Sequence, residues 1–316
     1  MNKISDIMVI VDPSTKGRQA AVDKAAQLAR CSNAAVELVI CEIESALNDE
    51  VPLSARRSHP DNTELLDMLE GLAGPLRAQG TKVSLRIIYG KSLPDTLLDY
   101  VRGSNADLVI KDTHQHSFAR RTFARNTDWH LVRGCQKPLL LTKKKSWTQP
   151  PRFVAAVDLE QGEKNAAMSN HRILEFAATL SGYLKGDLHV IHAYIPTAFA
   201  ALVRAGRQSA SRDYTEALQV EGSYRYHQIE SLGSAYGVSP QHLHVEMGTP
   251  HDCLKHMVEK FGADLVVIGA SSHKWHRMFI GSTAATILES LDCDILIVGT
   301  YEYTQSHAFA TQAALP

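Results

Sequence analysis

The chain has 316 residues, a length that fits two domains of ordinary size or one large domain. Its 33 lysines and arginines nearly balance its 34 aspartates and glutamates, which argues against nucleic acid as the main partner, because a phosphate backbone attracts an excess of positive charge. No apolar run approaches the roughly 18 residues that a membrane-spanning helix needs, and the N-terminus lacks the long apolar stretch of a secretory signal. We therefore expect a soluble, cytoplasmic protein without a membrane partner.

Short apolar runs alternate with segments of helical period along the first half. The predicted strands cover 7–12, 36–43, 82–90, 106–112 and 137–143, and the predicted helices cover 18–32, 63–80, 92–104 and 127–135. The strands are apolar enough to be buried on both faces. This alternation predicts an α/β fold, in which helices cover both faces of a five-stranded parallel sheet.

The second half repeats the first. The run Ala-Asp-Leu-Val at 106–109 recurs at 263–266, which is 157 residues later, and the apolar run that ends at Asp12 is matched by one that ends at Asp158. A repeat of this length indicates a duplicated domain. We predict two Rossmann-like, doubly wound domains over 1–145 and 152–300, joined by a Pro-Pro segment, and a C-terminal tail over 301–316.

The cysteines are scattered and include no C-x-x-C pair. An odd number without a pattern is typical of reduced, structural thiols in a reducing compartment. We expect them to be buried and unreactive: Cys31, Cys41, Cys135, Cys253 and Cys293.

Three features of the second half converge on one edge of the predicted sheet, beyond the carboxyl ends of its strands, where open parallel sheets bind ligands. Asp158 ends the first strand, Gly269 ends the fourth strand, and 281–283 (Gly-Ser-Thr) lies at the start of the last helix, where free N–H groups attract anions. Each feature also has an ordinary structural explanation, since Ser282 is a common helix cap and Asp158 and Gly269 suit turns. Asp12, before Pro13, is expected to start a turn.

The chain resembles the universal stress proteins in the order of these motifs along the sequence. Because it has two copies of the domain, it is similar to the tandem, E-type members of that family. The resemblance covers about residues 1 to 300 and implies the adenine nucleotide alpha hydrolase-like fold. It further implies that ATP or another adenine nucleotide binds the second half, through a set of residues at the sheet edge: Asp158, the backbone near Ala193, Gly269, Gly281, Ser282 and Thr283. It also implies that the two domains pair as an internal pseudo-dimer through 138–143 and 294–299, and that two chains can form a homodimer.

The glycine loop departs from the pattern of this family. Ser272 stands where the second glycine is expected, and eight residues instead of nine separate it from Gly281. A side chain there hinders close approach of the backbone to a phosphate, whereas Lys274 and Arg277 supply positive charge. In the first half we expect Lys111 to take the place of the first glycine, so that family-like nucleotide binding is not expected there.

Other segments suggest further ligands. Asp112, His114 and His116 have a spacing that suits a metal ion, with Asp12 or His130 as a third ligand, although the 15 histidines of the chain are dispersed. Another set suggests either an anion patch or a solvated loop: Arg120, Arg121 and Arg125. The apolar stretch 198–206 is expected either to cover the crevice as a lid or to pack structurally.

The sequence thus favours a non-enzymatic, stress-response or regulatory binding module. One alternative is slow ATP hydrolysis in the second half with His273 or His276 as the base, which the absence of a well-placed Mg²⁺ carboxylate in the loop disfavours. The other is a carrier of a metal ion or of a small apolar ligand.

Overall fold

The structure is a computed structural model that describes residues 3–15, 17–43, 60–113, 121–143, 146–159, 164–197, 212–269 and 290–299. Its strands are β1 Asp6–Ile10, β2 Ala35–Ile43, β3 Val83–Gly90, β4 Leu108–Asp112, β5 Leu139–Thr142, β6 Arg152–Ala156, β7 Asp187–Tyr194, β8 Leu243–Met247, β9 Leu265–Gly269 and β10 Asp294–Val298. Its α-helices are α1 Ala20–Ser32, α2 Pro60–Ala78, α3 Leu93–Gly103, α4 Arg121–Gly134, α5 Lys164–Leu184, α6 Arg212–Ser234 and α7 Pro250–Phe261. A 3₁₀ turn, Pro240–His242, precedes β8.

Over the described residues the strands form one ten-stranded sheet in the order β3-β2-β1-β4-β5-β10-β9-β6-β7-β8. Strands within each half are parallel, as predicted, while β5 and β10 pair antiparallel. Leu140 lies opposite Leu296 at the centre of this pair, so a pseudo-twofold axis relates the halves there. The α/β fold with two doubly wound halves is confirmed, and the halves join through β5 and β10, the strands that the family resemblance implied.

Two apolar cores lie on opposite faces of the sheet. One contains buried residues of α1, α2, α5 and α6, and the other contains buried residues of α3, α4 and α7. Strand residues alternate between the cores, because successive side chains of a strand point to opposite faces. Nearly continuous apolar strands are therefore required, which explains why the strand predictions succeeded.

The repeated Ala-Asp-Leu-Val run has a structural reason. The carboxylate of Asp107 accepts the backbone N–H of Ser5 at 2.7 Å, just before β1, and the carboxylate of Asp264 accepts the N–H of Arg152 at 2.9 Å, where β6 begins. Each aspartate thus satisfies a donor that the ladder leaves unpaired at a strand start. The repeated aspartate, which comes just before the fourth strand of each half, thus holds the start of the first strand of that half in place.

The segment between the halves is partly buried. Trp147 is 7% exposed, and its indole N–H donates to Asp294 Oδ2 at 2.7 Å. The same carboxylate oxygen lies 3.2 Å from Lys24 Nζ, which sits 4.0 Å from the centroid of the Trp147 ring. An ion pair and an aromatic side chain therefore tie α1 of the first half to β10 of the second.

Two local expectations need correction. Helix α4 begins at Arg121, six residues before the predicted start at 127, because the polar segment ahead of Thr127 continues the helix. Cysteine burial is uneven, since Cys31 is exposed and Cys135 partly exposed, whereas Cys41, Cys253 and Cys293 are buried. Burial raises the pKa of the thiols of Cys41 and Cys135 to about 11, so both remain protonated at neutral pH. All five cysteines are free.

Among the described helices, none combines the length and apolar character needed to cross a bilayer.

Candidate functional site

The carboxyl ends of β6, β7 and β9 meet at one edge of the second half, which positions Asp158. Asn170 of α5 clamps the backbone of this residue, since its amide oxygen accepts the Asp158 N–H at 2.9 Å and its NH₂ group donates to the Asp158 carbonyl oxygen at 2.5 Å. Two bonds from one planar amide fix the chain as it leaves β6. The side chain of Asp158 is thereby held at the sheet edge, where it is half-buried.

The backbone of Ala193 faces the same edge. The ladder between β6 and β7 ends where the N–H of Val157 donates to the carbonyl oxygen of Ile191 at 2.9 Å. Backbone groups of alternate residues point to the same side of a strand. Ala193, two residues after Ile191, therefore directs its N–H and carbonyl oxygen toward the β6 side, beyond the last hydrogen bond of this ladder. Tyr194 faces the other way and accepts the N–H of Gly248 at 2.9 Å. Ala193 thus offers a donor and an acceptor beside the end of β6.

Helix α6 adds charge beside this edge. Arg225 donates to the carbonyl oxygen of Leu159 at 3.0 Å, and its guanidinium lies 5.9 Å from the centroid of the Tyr194 ring. Glu221, one turn earlier, accepts the hydroxyl and the N–H of Thr197 at 3.0 and 3.1 Å. Burial raises the pKa of the Tyr194 phenol, and Glu221 raises it further while Arg225 opposes both, so the phenol is neutral at neutral pH.

Gly269, at the end of β9, leaves room for helix α5. A Cβ atom at this position would lie 2.5 Å from Ser169 Oγ and 3.2 Å from Ile173 Cδ1. The first distance is shorter than packed atoms allow, so Ser169 would have to shift, and the second is a tight contact. The glycine is therefore explained by close helix–strand approach, and no positive φ is involved, so the turn role considered from the sequence is not its main reason.

This packing gives a first prediction. Gly269→Ala is expected to lower the free energy of unfolding by about 1–2 kcal/mol, because the new methyl group overpacks the contact with Ser169. Ser169→Ala removes the atom that is contacted, so the double variant should recover most of the loss. Urea unfolding of the wild-type protein, the two single variants and the double variant measures the coupling between the two positions. An equal cost of Gly269→Ala with and without Ser169 would contradict the steric explanation.

The corresponding edge of the first half is built differently. The carboxylate of Asp12 accepts the N–H and hydroxyl of Ser14 at 2.8 and 3.0 Å and the hydroxyl of Thr15 at 3.2 Å. It therefore starts a turn, as expected. Gln19 of α1 clamps the Asp12 backbone as Asn170 clamps that of Asp158, with bonds of 3.0 and 2.9 Å.

The prediction that Lys111 replaces the first glycine is wrong by one residue. Asp112 pairs with Thr142 at the last step of β4, as Gly269 pairs with Val298 at the last step of β9. Asp112 is thus the counterpart of Gly269. Lys111 faces the opposite side of the sheet, because side chains alternate, and its Nζ lies 2.7 Å from Asp128 Oδ1 on α4.

Asp112 carries a side chain at the strand position where Gly269 has none in the second half. Its Oδ1 accepts the N–H of Ala21 at 2.7 Å and the hydroxyl of Thr142 at 2.5 Å. The carboxylate thereby caps the start of α1, a favourable place for negative charge. Its position is accounted for without a metal ion, and His130, considered as a further ligand, is exposed on α4.

Several residues singled out in the sequence lie outside the described residues. They are Gly281, Ser282, Thr283, Ser272, Lys274, Arg277, His273, His276, His114, His116, Arg120 and the segment 198–206. Arg121 and Arg125 lie in α4. Of the predicted nucleotide residues, the structure brings Asp158, Ala193 and Gly269 to one edge.

Sequence reasoning missed Asn170, Glu221 and Arg225. The clamp leaves only a weak signal, an amide side chain 12 residues after Asp158 and another 7 residues after Asp12. It also missed a cluster at the opposite edge of the second half, where Asp187, His189 and His242 lie close enough to share a metal ion. The spacings Asp187-x-His189 and His242-x-His244 were the available signal.

Comparison with known proteins supports this architecture. The family model described as "Universal stress protein family" matches residues 3–143 and 153–299. Universal stress protein E of Escherichia coli K12 is 24% identical over 226 residues, which cover 71% of this chain and 70% of that protein. The universal stress protein E homolog of Haemophilus influenzae is 22% identical over 308 residues, covering 93% and 97%.

Solved structures share the whole fold. A functionally unknown protein from Pseudomonas aeruginosa PAO1 superposes with a TM-score of 0.66 at 24% identity, covering 94% of this chain and 92% of that one. A universal stress protein from Archaeoglobus fulgidus has a TM-score of 0.62 at 16% identity, covering 94% and 97%. With two matched segments that together span nearly the whole chain, this protein belongs to the universal stress protein family.

Proposed function

We propose that this protein is a non-enzymatic stress-response or regulatory module whose second half binds ATP or another adenine nucleotide. The observation that carries the proposal is the difference between the two sheet edges. In the second half Asp158, the Ala193 backbone and the side-chain-free Gly269 meet at one edge, whereas in the first half the carboxylate of Asp12 serves a turn and Asp112 occupies the position of Gly269.

The chemistry of the edge suits a nucleoside. A carboxylate at Asp158 accepts hydrogen bonds from ribose hydroxyl groups, and the N–H and carbonyl of Ala193 match the donor and acceptor edge of adenine. The family implies that the phosphates would then reach toward Gly281, Ser282 and Thr283, where the sequence predicts the start of the last helix. The free cysteines support action in the cytoplasm, where thiols remain reduced. Assembly of two chains into a homodimer stays a prediction.

The test is calorimetric titration of the full chain with Mg-ATP. Asp158→Ala is expected to weaken binding about ten- to a hundredfold, because a hydrogen bond to a charged group contributes about 1.5–3 kcal/mol. Asp12→Ala is the matched control from the first half and should leave the affinity unchanged. Ser282→Ala tests the phosphate end separately.

Two results would overturn the proposal. One is the absence of heat from the wild-type protein at millimolar Mg-ATP, which would exclude a nucleotide site of useful affinity. The other is equal affinity of the wild-type and Asp158→Ala proteins, which would move the nucleotide away from this edge. Phosphate release followed in the same samples separates simple binding from slow hydrolysis.

A further inference from the structure

Three histidines and an aspartate gather at the amino edge of the second half, at the end of the strands opposite the candidate nucleotide site. Asp187 begins β7, and His189 follows two residues later on the same face. His242 ends the 3₁₀ turn before β8, and His244 lies in β8 itself. Because β7 and β8 pair in parallel, all four side chains lie together on the face covered by α7.

The distances among these side chains suit a transition metal. Asp187 Oδ2 lies 3.3 Å from His189 Nε2, and Asp187 Oδ1 lies 3.4 Å from His242 Nδ1. One ligand atom from each of the three residues falls within 4.8 Å of the others. Two ligands bound tetrahedrally to Zn²⁺ at about 2.0–2.1 Å are themselves about 3.3–3.4 Å apart. The observed separations therefore need little adjustment to hold an ion.

The surroundings orient His189 as a ligand. Its ring stacks on Phe261 with centroids 4.1 Å apart and planes at 22°. Its Nδ1 lies 2.9 Å from Nε2 of His244, which leaves Nε2 directed toward Asp187. Histidines that bind metals commonly hydrogen-bond through the second ring nitrogen, and this fixes both the ring and its tautomer.

The fold itself does not require this cluster. By strand register, the first half has Glu37 in the place of His189 and Arg86 in the place of His244. These two form an ordinary ion pair, with Arg86 Nε 3.8 Å from a carboxylate oxygen of Glu37. The same sheet position is thus built without histidine in the first half, so packing alone does not explain the histidines of the second.

We propose that Asp187, His189 and His242 form a binding site for a divalent transition-metal ion such as Zn²⁺, with His244 orienting His189. Two imidazoles and one carboxylate favour such an ion over Mg²⁺ or Ca²⁺, which prefer oxygen ligands. The side chains of Asp187 and His242 are 42% and 28% exposed, so solvent reaches the ion and a water molecule can complete its coordination.

The test uses the full chain freed of metal by a chelator and titrated with Co²⁺. We expect one equivalent to produce the visible absorption of a four-coordinate Co²⁺ ion, and Zn²⁺ to displace it. His242→Gln and Asp187→Asn, two partly exposed positions that should not disturb the core, are each expected to weaken Zn²⁺ affinity at least tenfold. His244→Ala is expected to weaken it about ten- to a hundredfold, as loss of an orienting partner does.

The matched control is His227→Gln, which removes an exposed histidine of α6 that lies outside the cluster and should leave the affinity unchanged. A double variant, His114→Gln with His116→Gln, separates this site from the other histidine pair of the chain. Absence of stoichiometric binding by the wild-type protein would overturn the proposal. So would binding that survives His242→Gln and Asp187→Asn but is lost in the double variant.

Discussion

Asp294→Asn is expected to lower the free energy of unfolding by about 3 kcal/mol or more, because it leaves the ammonium group of Lys24 buried without its counter-charge. The side chains of Lys24 and Asp294 are 4% and 1% exposed, so solvent cannot replace the lost partner. Asparagine keeps the shape of the residue and an oxygen that can accept from Trp147 or the Lys143 N–H. The substitution therefore removes the charge and replaces one of the two acceptor oxygens by an NH₂ group.

The ion pair itself is expected to contribute little net stability. Burial raises the pKa of Asp294 and lowers that of Lys24, and in each case the attraction of the partner only partly offsets the effect. Adding Lys24→Met to Asp294→Asn should therefore restore much of the lost stability, since an apolar side chain can replace a buried charge at low cost.

Urea unfolding followed by fluorescence and circular dichroism measures these differences. Asp292→Asn, which removes an exposed carboxylate two residues away, is the matched control and should change stability by less than about 0.5 kcal/mol. If Asp294→Asn changed stability no more than Asp292→Asn does, Lys24 would have to be solvated or neutral in the folded protein. Equal losses in the single and double variants would also contradict the argument.

Leu296→Ala is expected to cost about 3 kcal/mol and to separate the unfolding of the two halves. Leu296 and Leu140 are both fully buried and lie opposite each other where β5 meets β10. A cavity here weakens the packing between β5 and β10, the pair of strands that joins the two halves into one sheet. Leu140→Ala should have a similar effect, and the double variant should show coupling between the two changes.

Leu254→Ala is the control for this experiment, because Leu254 is 1% exposed in α7 and belongs to the core within the second half. It should cost a similar amount of stability, about 3 kcal/mol, without the same separation of transitions. Two transitions in Leu296→Ala alone would support 1–145 and 152–300 as units that fold separately. A single transition in every variant would instead indicate one cooperative unit, contrary to the predicted domain bounds.

Errors in the sequence reasoning arose where a side chain had to be assigned to a face. The sequence pattern predicts Lys111 as the counterpart of a glycine, but strand register gives that place to Asp112. A shift of one residue moves a side chain to the opposite face. The same limitation hid the amide clamp of Asn170, which contacts Asp158 from a different element at a spacing no local pattern marks.

By itself, the sequence determined the duplication, the alternation of strands and helices, and the place of Asp158 and Gly269 at strand ends. These features depend on periodicity and order along the chain, which reflect local geometry and burial on both faces of a sheet. Only the tertiary structure decided that β5 meets β10 antiparallel and that Lys24 pairs with Asp294. It alone brought His189 to His244, which lie 55 residues apart in the chain, because contacts between distant residues depend on strand pairing and register.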